Sequence, residues 1–146
     1  MRERGQIRNA AMREQINDFA SMRWNKITPT DIDGAIDFGG KFFVFFDIKS
    51  DGAPFSRGQE LFFENLCRAL RVPSVFALAV HGVTPPDEVI GGDCVVRRYY
   101  WRERGGVWTW VVAPEGVSLL RFVNEFLRVY GLREKYQWEP PNVWQG

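Results

Sequence analysis

Asp31, Asp33, Asp37, Asp47 and Lys49 all fall within one short stretch, TDIDGAIDFGGKFFVFFDIKS. Grouped carboxylates bind hard cations or exchange protons, and an ammonium beside them can hold developing negative charge. Whether these groups meet depends on how the stretch folds. Ile27–Phe38 alternates polar and apolar residues as a strand does, and Lys41–Lys49 reads as a second, more buried strand. Gly39-Gly40 lies between them, where a hairpin turns. Asp31, Asp33 and Asp37 share one parity and therefore one face; Asp47 and Lys49 likewise share a face. A two-residue turn at Gly39-Gly40 pairs Phe38 with Lys41 and sets Asp33 and Asp47 on opposite faces. A three-residue turn centred on Gly40 pairs Phe38 with Phe42, which brings Asp33 across from Asp47 and Asp31 across from Lys49. Opposed carboxylates repel, and a sheet tolerates them when they bind a divalent cation or when one is protonated. The second register therefore predicts a magnesium site.

Composition narrows the chemistry further. The 146 residues include one histidine, His81, and two cysteines, Cys67 and Cys94. That is too few for a two-histidine or four-thiolate zinc centre or for a disulfide framework, so a metal here takes oxygen ligands. The two thiols are expected to be reduced and partly buried in a cytosol-like compartment. The basic opening MRERGQIRNA has no apolar run of a secretory leader, and apolar runs such as Phe42–Phe46 are far shorter than a membrane span, so the expectation is a cytoplasmic protein with no membrane span. Net charge is +1, too small for bulk attraction to a polyanion. It is unevenly placed, however: residues 1–30 carry +3, residues 31–66 carry −4, and residues 67–146 carry +2. The negative block is centred on the paired aspartates.

The elements that must position this block follow from periodicity and caps. Residues 7–23 place Met12, Ile16, Phe19, Ala20 and Met22 along one side of a helix. Ser56 with Gln59 forms a capping box opening a helix from about Arg57 to Arg71, which Val72-Pro73 ends. Ser74–Val80 is a buried strand. Asp93–Trp101 and Val107–Ala113 form a second hairpin around Gly105-Gly106, and Ser118 caps a last helix, Leu119–Tyr130, before Gly131. Such hairpins with helices between them predict one α+β domain built on a mixed sheet.

The stretch TDIDGAIDFGGKFFVFFDIKS resembles the core of the PD-(D/E)xK nuclease superfamily, the fold of restriction endonucleases and junction resolvases. That pattern has an early Asp in a hairpin, then Asp or Glu, one residue, and Lys; Asp33, Asp47 and Lys49 fit it, with the acids 14 positions apart. The resemblance covers residues 7–81. It implies a restriction-endonuclease-like αβββαβ core, provided Trp24–Thr30 forms a short strand, with a hairpin and helix added over residues 93–131 and a tail over 132–146. It also implies that Asp33, Asp47 and the Ile48 carbonyl hold Mg2+ (or Mn2+), and that Lys49 acts on the attacking water. The implied activity is hydrolysis of DNA phosphodiester bonds by an endonuclease, structure-selective in the manner of a junction resolvase, with DNA as partner and a homodimer as assembly. Asp31 and Asp37 are rivals of Asp33 as ligand. The alternative is a non-catalytic nucleic-acid-binding or assembly module that keeps the fold.

Further candidates carry a plainer reading beside the functional one. Gln59 either faces the metal site, as a catalytic glutamine, or serves its helix cap. Glu14 either adds a ligand or lies on a solvated helix face. His81 is more simply a hydrogen-bonded structural residue. Arg97, Arg98, Arg102 and Arg104 alternate with Tyr99, Tyr100 and Trp101, which suits a ribbon lying along a nucleic-acid strand or a half-buried hairpin with a wet arginine face. Arg2, Arg4, Arg8 and Arg13 offer further phosphate contacts, and Trp138 and Trp144 an anchor for the tail.

Overall fold

The computed structural model describes residues 21–140. The chain divides into two units, Ile32–Tyr136 and a second made of Met1–Asp31 with Gln137–Gly146. The helix expected over residues 7–23 and the calls on Glu14, the four N-terminal arginines and Trp144 rest wholly or mainly outside the described residues.

Ile32–Tyr136 is an α+β unit. Its elements run β1 (Gly34–Asp37), β2 (Phe43–Ser50), α1 (Arg57–Ala69), β3 (Ser74–His81), β4 (Val95–Arg102), β5 (Trp108–Val112) and α2 (Leu119–Val129), with one 3-10 turn at Gly91–Asp93. The strands form a single sheet in sequence order. β2 and β3 are parallel, joined by the α1 crossover, and every other pairing is antiparallel.

The alternation of each strand divides its side chains between two aromatic layers. On one face, Phe45, Phe76, Leu78 and Tyr100 pack with Phe63 and Cys67 of α1. Phe63 and Phe76 stack with centroids 3.9 Å apart. On the other face, Phe42, Val44, Val75, Ala77 and Val96 meet Leu119, Phe122, Val123, Phe126 and Leu127. Those five α2 residues recur at helical spacing and form one apolar stripe. Most of the phenylalanines, with Trp101, Trp108 and Trp110, are thus divided between two layers rather than one, each fully buried ring contributing roughly 2–3 kcal/mol. Cys67 and Cys94 are free and buried.

Caps fix the helix starts. Ser56 accepts the Gln59 N–H while the Gln59 amide accepts the Ser56 N–H, the reciprocal box read from sequence. Ser118 accepts the Arg121 N–H in the same way. α1 ends at Ala69, two residues before the expected Arg71, because Leu70 is already extended on the approach to Pro73.

One expected element is absent. Trp24–Thr30 forms no strand; Trp24 and Ile27 exchange both backbone bonds at 2.9 Å around Asn25, which has φ 59°. Asn tolerates this left-handed conformation, and the exchange closes a tight turn on itself. The first paired residue is therefore Gly34 rather than Ile27, and the predicted third strand of an αβββαβ core is missing. Among the described residues no helix is long and apolar enough to cross a membrane.

Candidate metal and phosphoryl site

The β1–β2 turn decides whether the acids meet. The Phe38 N–H donates to the Phe42 carbonyl at 2.9 Å, so three residues separate the strands. Gly39 and Gly40 have φ of 63° and 73°, a geometry glycine adopts without steric cost. The register that follows pairs Gly34 with Phe46 and Asp37 with Phe43. One step beyond Gly34, Asp33 stands across from Asp47, as the three-residue turn requires.

Asp33 does not continue the backbone ladder. Its Oδ2 accepts the Ile48 N–H at 2.7 Å, so the side chain caps the end of the hairpin. The same contact sets its carboxylate beside Asp47, close enough to raise that group's pKa. Asp47 is 2% exposed, the one buried carboxyl of the sheet among the described residues. Its Oδ2 has no hydrogen-bond partner among them, while the Lys49 ammonium lies 3.3 Å away as a charge without hydrogen-bond alignment. Burial pushes the Asp47 carboxyl up to about 6, the neighbouring Asp33 carboxylate adds to the rise, and Lys49 opposes it. Asp33 itself is exposed, and so are Ala35 and Asp37 on the same face, so the pair opens to solvent on the β1 side.

The other candidates divide. Asp37 points its Oδ1 at the Gly40 N–H, 2.6 Å away, at the turn end of β1, which places it away from Asp47. Asp31 lies outside the paired hairpin and belongs to the other unit. Gln59 spends its amide oxygen on Ser56, so the structure gives it the capping role. His81 accepts the Val83 N–H at Nδ1, a structural bond. Among the described residues no three or more His, Cys, Asp or Glu side chains gather at metal-binding separation, so this centre offers two carboxylates.

The arginine ribbon does not form one face. The register moves from Leu78–Arg98 to Ala79–Val96, which makes Arg97 the extra residue of a bulge. Arg97 pairs with Asp51 at 3.5 Å on an exposed rim. Arg98 lies inward, its guanidinium 4.5 Å from the Trp110 ring and 3.4 Å from Glu60. Arg102 donates to the Gly106 carbonyl and Arg104 is exposed in the same turn. Sequence reading missed the Glu60–Arg98–Trp110 cluster, because Glu60 lies 38 and 50 positions from Arg98 and Trp110 and carries no local signal of them. It also missed a cleft of about 320 Å³ beside the ends of β2 and β3, lined in part by Asp51, His81 and Arg97.

Comparisons with protein-family models, curated proteins and solved structures gave no match for this chain. What the fold and the site define is an α+β protein with a five-stranded mixed sheet that carries a half-buried Asp–Asp–Lys group at the end of its first hairpin.

Proposed function

We propose that the protein is a magnesium-dependent DNA endonuclease of the PD-(D/E)xK kind, hydrolysing phosphodiester bonds. The observation that carries this reading is the Asp47 Oδ2 atom, buried, without a hydrogen-bond partner, and beside both a second carboxylate and an ammonium. An apolar sheet face gains nothing from such an atom, since an unpaired buried acceptor costs about 1–3 kcal/mol or more when charged. A hard cation relieves both that cost and the Asp33–Asp47 repulsion.

Asp33 and Asp47 would hold the ion, with the Ile48 carbonyl as a third oxygen. Two carboxylates suit Mg2+ or Mn2+, which keep several waters and draw remaining ligands from a phosphate. When bound, the ion polarises the phosphate and lowers the pKa of water. Lys49 would orient the attacking water and stabilise the charge that grows on the phosphoryl oxygens. Asp33 fixes the strand end through Ile48 and so fixes the direction of the carboxylate pair. On this reading the β1–β2 hairpin, the α1 crossover and parallel β3 would serve as the ββαβ part of a restriction-endonuclease-like core. Arg97 and Arg104, exposed on the added hairpin, remain the arginines fitted to touch phosphate; Arg98 is committed to Glu60 and Trp110.

The test is cleavage of labelled duplex and four-way-junction DNA with and without Mg2+. Wild type should cut in the presence of the ion, and Lys49→Ala should lower the rate at least about 100-fold, as expected when an electrostatic stabiliser is removed. Undiminished cleavage by Lys49→Ala overturns the reading. DNA binding and a magnesium-induced rise in melting temperature with no cleavage would instead assign the non-catalytic module.

A further inference from the structure

β5 is an edge strand of unusual composition. Residues 107–113, VWTWVVA, contain no charge, proline or glycine, the devices that normally guard a sheet edge. Val107 and Val112 are 81% and 82% exposed. The opposite edge, β1, is four residues long and ends between Asp33 and Asp37, so it is guarded in the usual way. From the β5 edge we infer that the protein pairs with a second copy of itself, β5 against β5, to form a continuous ten-stranded sheet.

The hydrogen-bond pattern fixes the register. The Ala113 N–H donates to the Arg97 carbonyl at 2.9 Å, so residues 113, 111 and 109 turn their backbone groups toward β4. Trp108, Trp110 and Val112 then turn theirs outward. An antiparallel partner centred on Trp110 places Trp110 opposite its own copy and Val112 opposite Trp108. All three outward residues of both strands exchange bonds in that one register, and a two-fold axis relates the copies. Val112, exposed in the single chain, packs beside a Trp108 ring already seated against Tyr100. No like charges oppose each other along the paired stretch. Just beyond it, Glu115 of one copy comes level with Gly105 of the other, next to Arg104, so the ends carry complementary charge. The symmetry is closed: each copy spends its β5 edge, the β1 edge is guarded by its aspartates, and growth stops at two. Asp33, Asp47 and Lys49 lie on the far side of the sheet, on β1 and β2 or just before them, so pairing is separable from the chemistry proposed there.

The experiment uses the full chain. Light scattering after size exclusion should give twice the chain mass of 16.9 kDa at micromolar concentration and move toward that mass on dilution. Val112→Pro removes an outward N–H without touching the β4 ladder, and Val112→Lys sets a charge against the partner; each should raise the dissociation constant at least 10-fold while thermal unfolding stays cooperative. Amide exchange at Trp108, Trp110 and Val112 should slow as concentration rises in wild type, and at Trp108 and Trp110 it should stay fast in Val112→Pro. A monomer at all concentrations, an assembly larger than two, or a dimer indifferent to both Val112 variants overturns the inference.

Discussion

The Oδ2 atom of Asp33 accepts the Ile48 N–H at 2.7 Å, and this bond joins a residue just outside β1 to the strand that carries Asp47 and Lys49. One carboxylate therefore has two tasks, anchoring the hairpin end and setting the charge beside Asp47. The tasks separate by mutation. Asp33→Asn keeps an acceptor for Ile48 and removes the charge, whereas Asp33→Ala removes both. Urea unfolding at pH 7 without metal should show Asp33→Ala less stable than Asp33→Asn by about 0.5–1.5 kcal/mol, the range for a neutral hydrogen bond. Equal stability of the two variants would show that the bond to Ile48 does not hold the hairpin.

Lys49 is the one charge that opposes the rise of the Asp47 carboxyl. Replacing it by methionine keeps the apolar stem and removes that opposition. The Asp47 carboxyl, followed by its carbon chemical shift across a pH titration, should then titrate above its wild-type value of about 6. A lower midpoint in Lys49→Met would mean that the ammonium does not act on Asp47 directly.

The pairing of Asp33 with Asp47 was legible because strand alternation and a Gly-Gly turn leave two registers, and one of them makes a specific chemical demand. The helices were legible for a similar reason, since Ser56–Gln59 and Ser118 are local caps read within one turn. What was not legible depends on distant partners. Trp24–Thr30 alternates well enough to suggest a strand, but Trp24 and Ile27 bond to each other rather than to a neighbouring strand. Arg98 reads as a phosphate contact beside Arg97, yet a bulge and a ring contributed by β5 turn it inward. Gln59 carried two readings of equal local merit, and the cap took its amide.

Gly34 follows Asp33 and faces the Phe46 ring closely. A Cβ there would come within 2.0 to 2.6 Å of three ring carbons. Gly34→Ala must displace that ring from its packing against the α2-side core, at a cost of about 1–3 kcal/mol for overpacking. Denaturant unfolding should show this loss, and Phe46→Leu should recover part of it in the double variant. Additive losses would place the strain elsewhere.

Arg98 stacks on Trp110 and pairs with Glu60, and Glu60 also meets Arg57 at 3.4 Å. Arg98→Met leaves the half-buried Glu60 with a single exposed partner. The expected loss is about 1–3 kcal/mol, from unpaired polar atoms and lost ring contact. Adding Glu60→Gln should cost less than its effect in the wild-type background, because the charge it removes has already lost its inner partner. A double-mutant cycle with no coupling would show that the pair is only a surface contact.

Magnesium and protons should compete for Asp47. Its carboxyl titrates at about 6 in the folded chain against an ordinary value of 3.8, so between those values the folded state binds more protons than the unfolded one. Stability of the metal-free protein therefore falls as pH rises through this window, by up to about 2–3 kcal/mol for a shift of this size, and the loss is complete above the folded value. A divalent cation needs the ionised form, so its stabilising effect should be absent near pH 5 and grow above pH 6. Melting temperatures measured across the acid-to-neutral range, with and without a millimolar excess of MgCl2, should therefore diverge on the alkaline side. Asp47→Asn should flatten the metal-free slope across the window and abolish the divergence. A divergence that survives in Asp47→Asn would put the ion somewhere other than this hairpin.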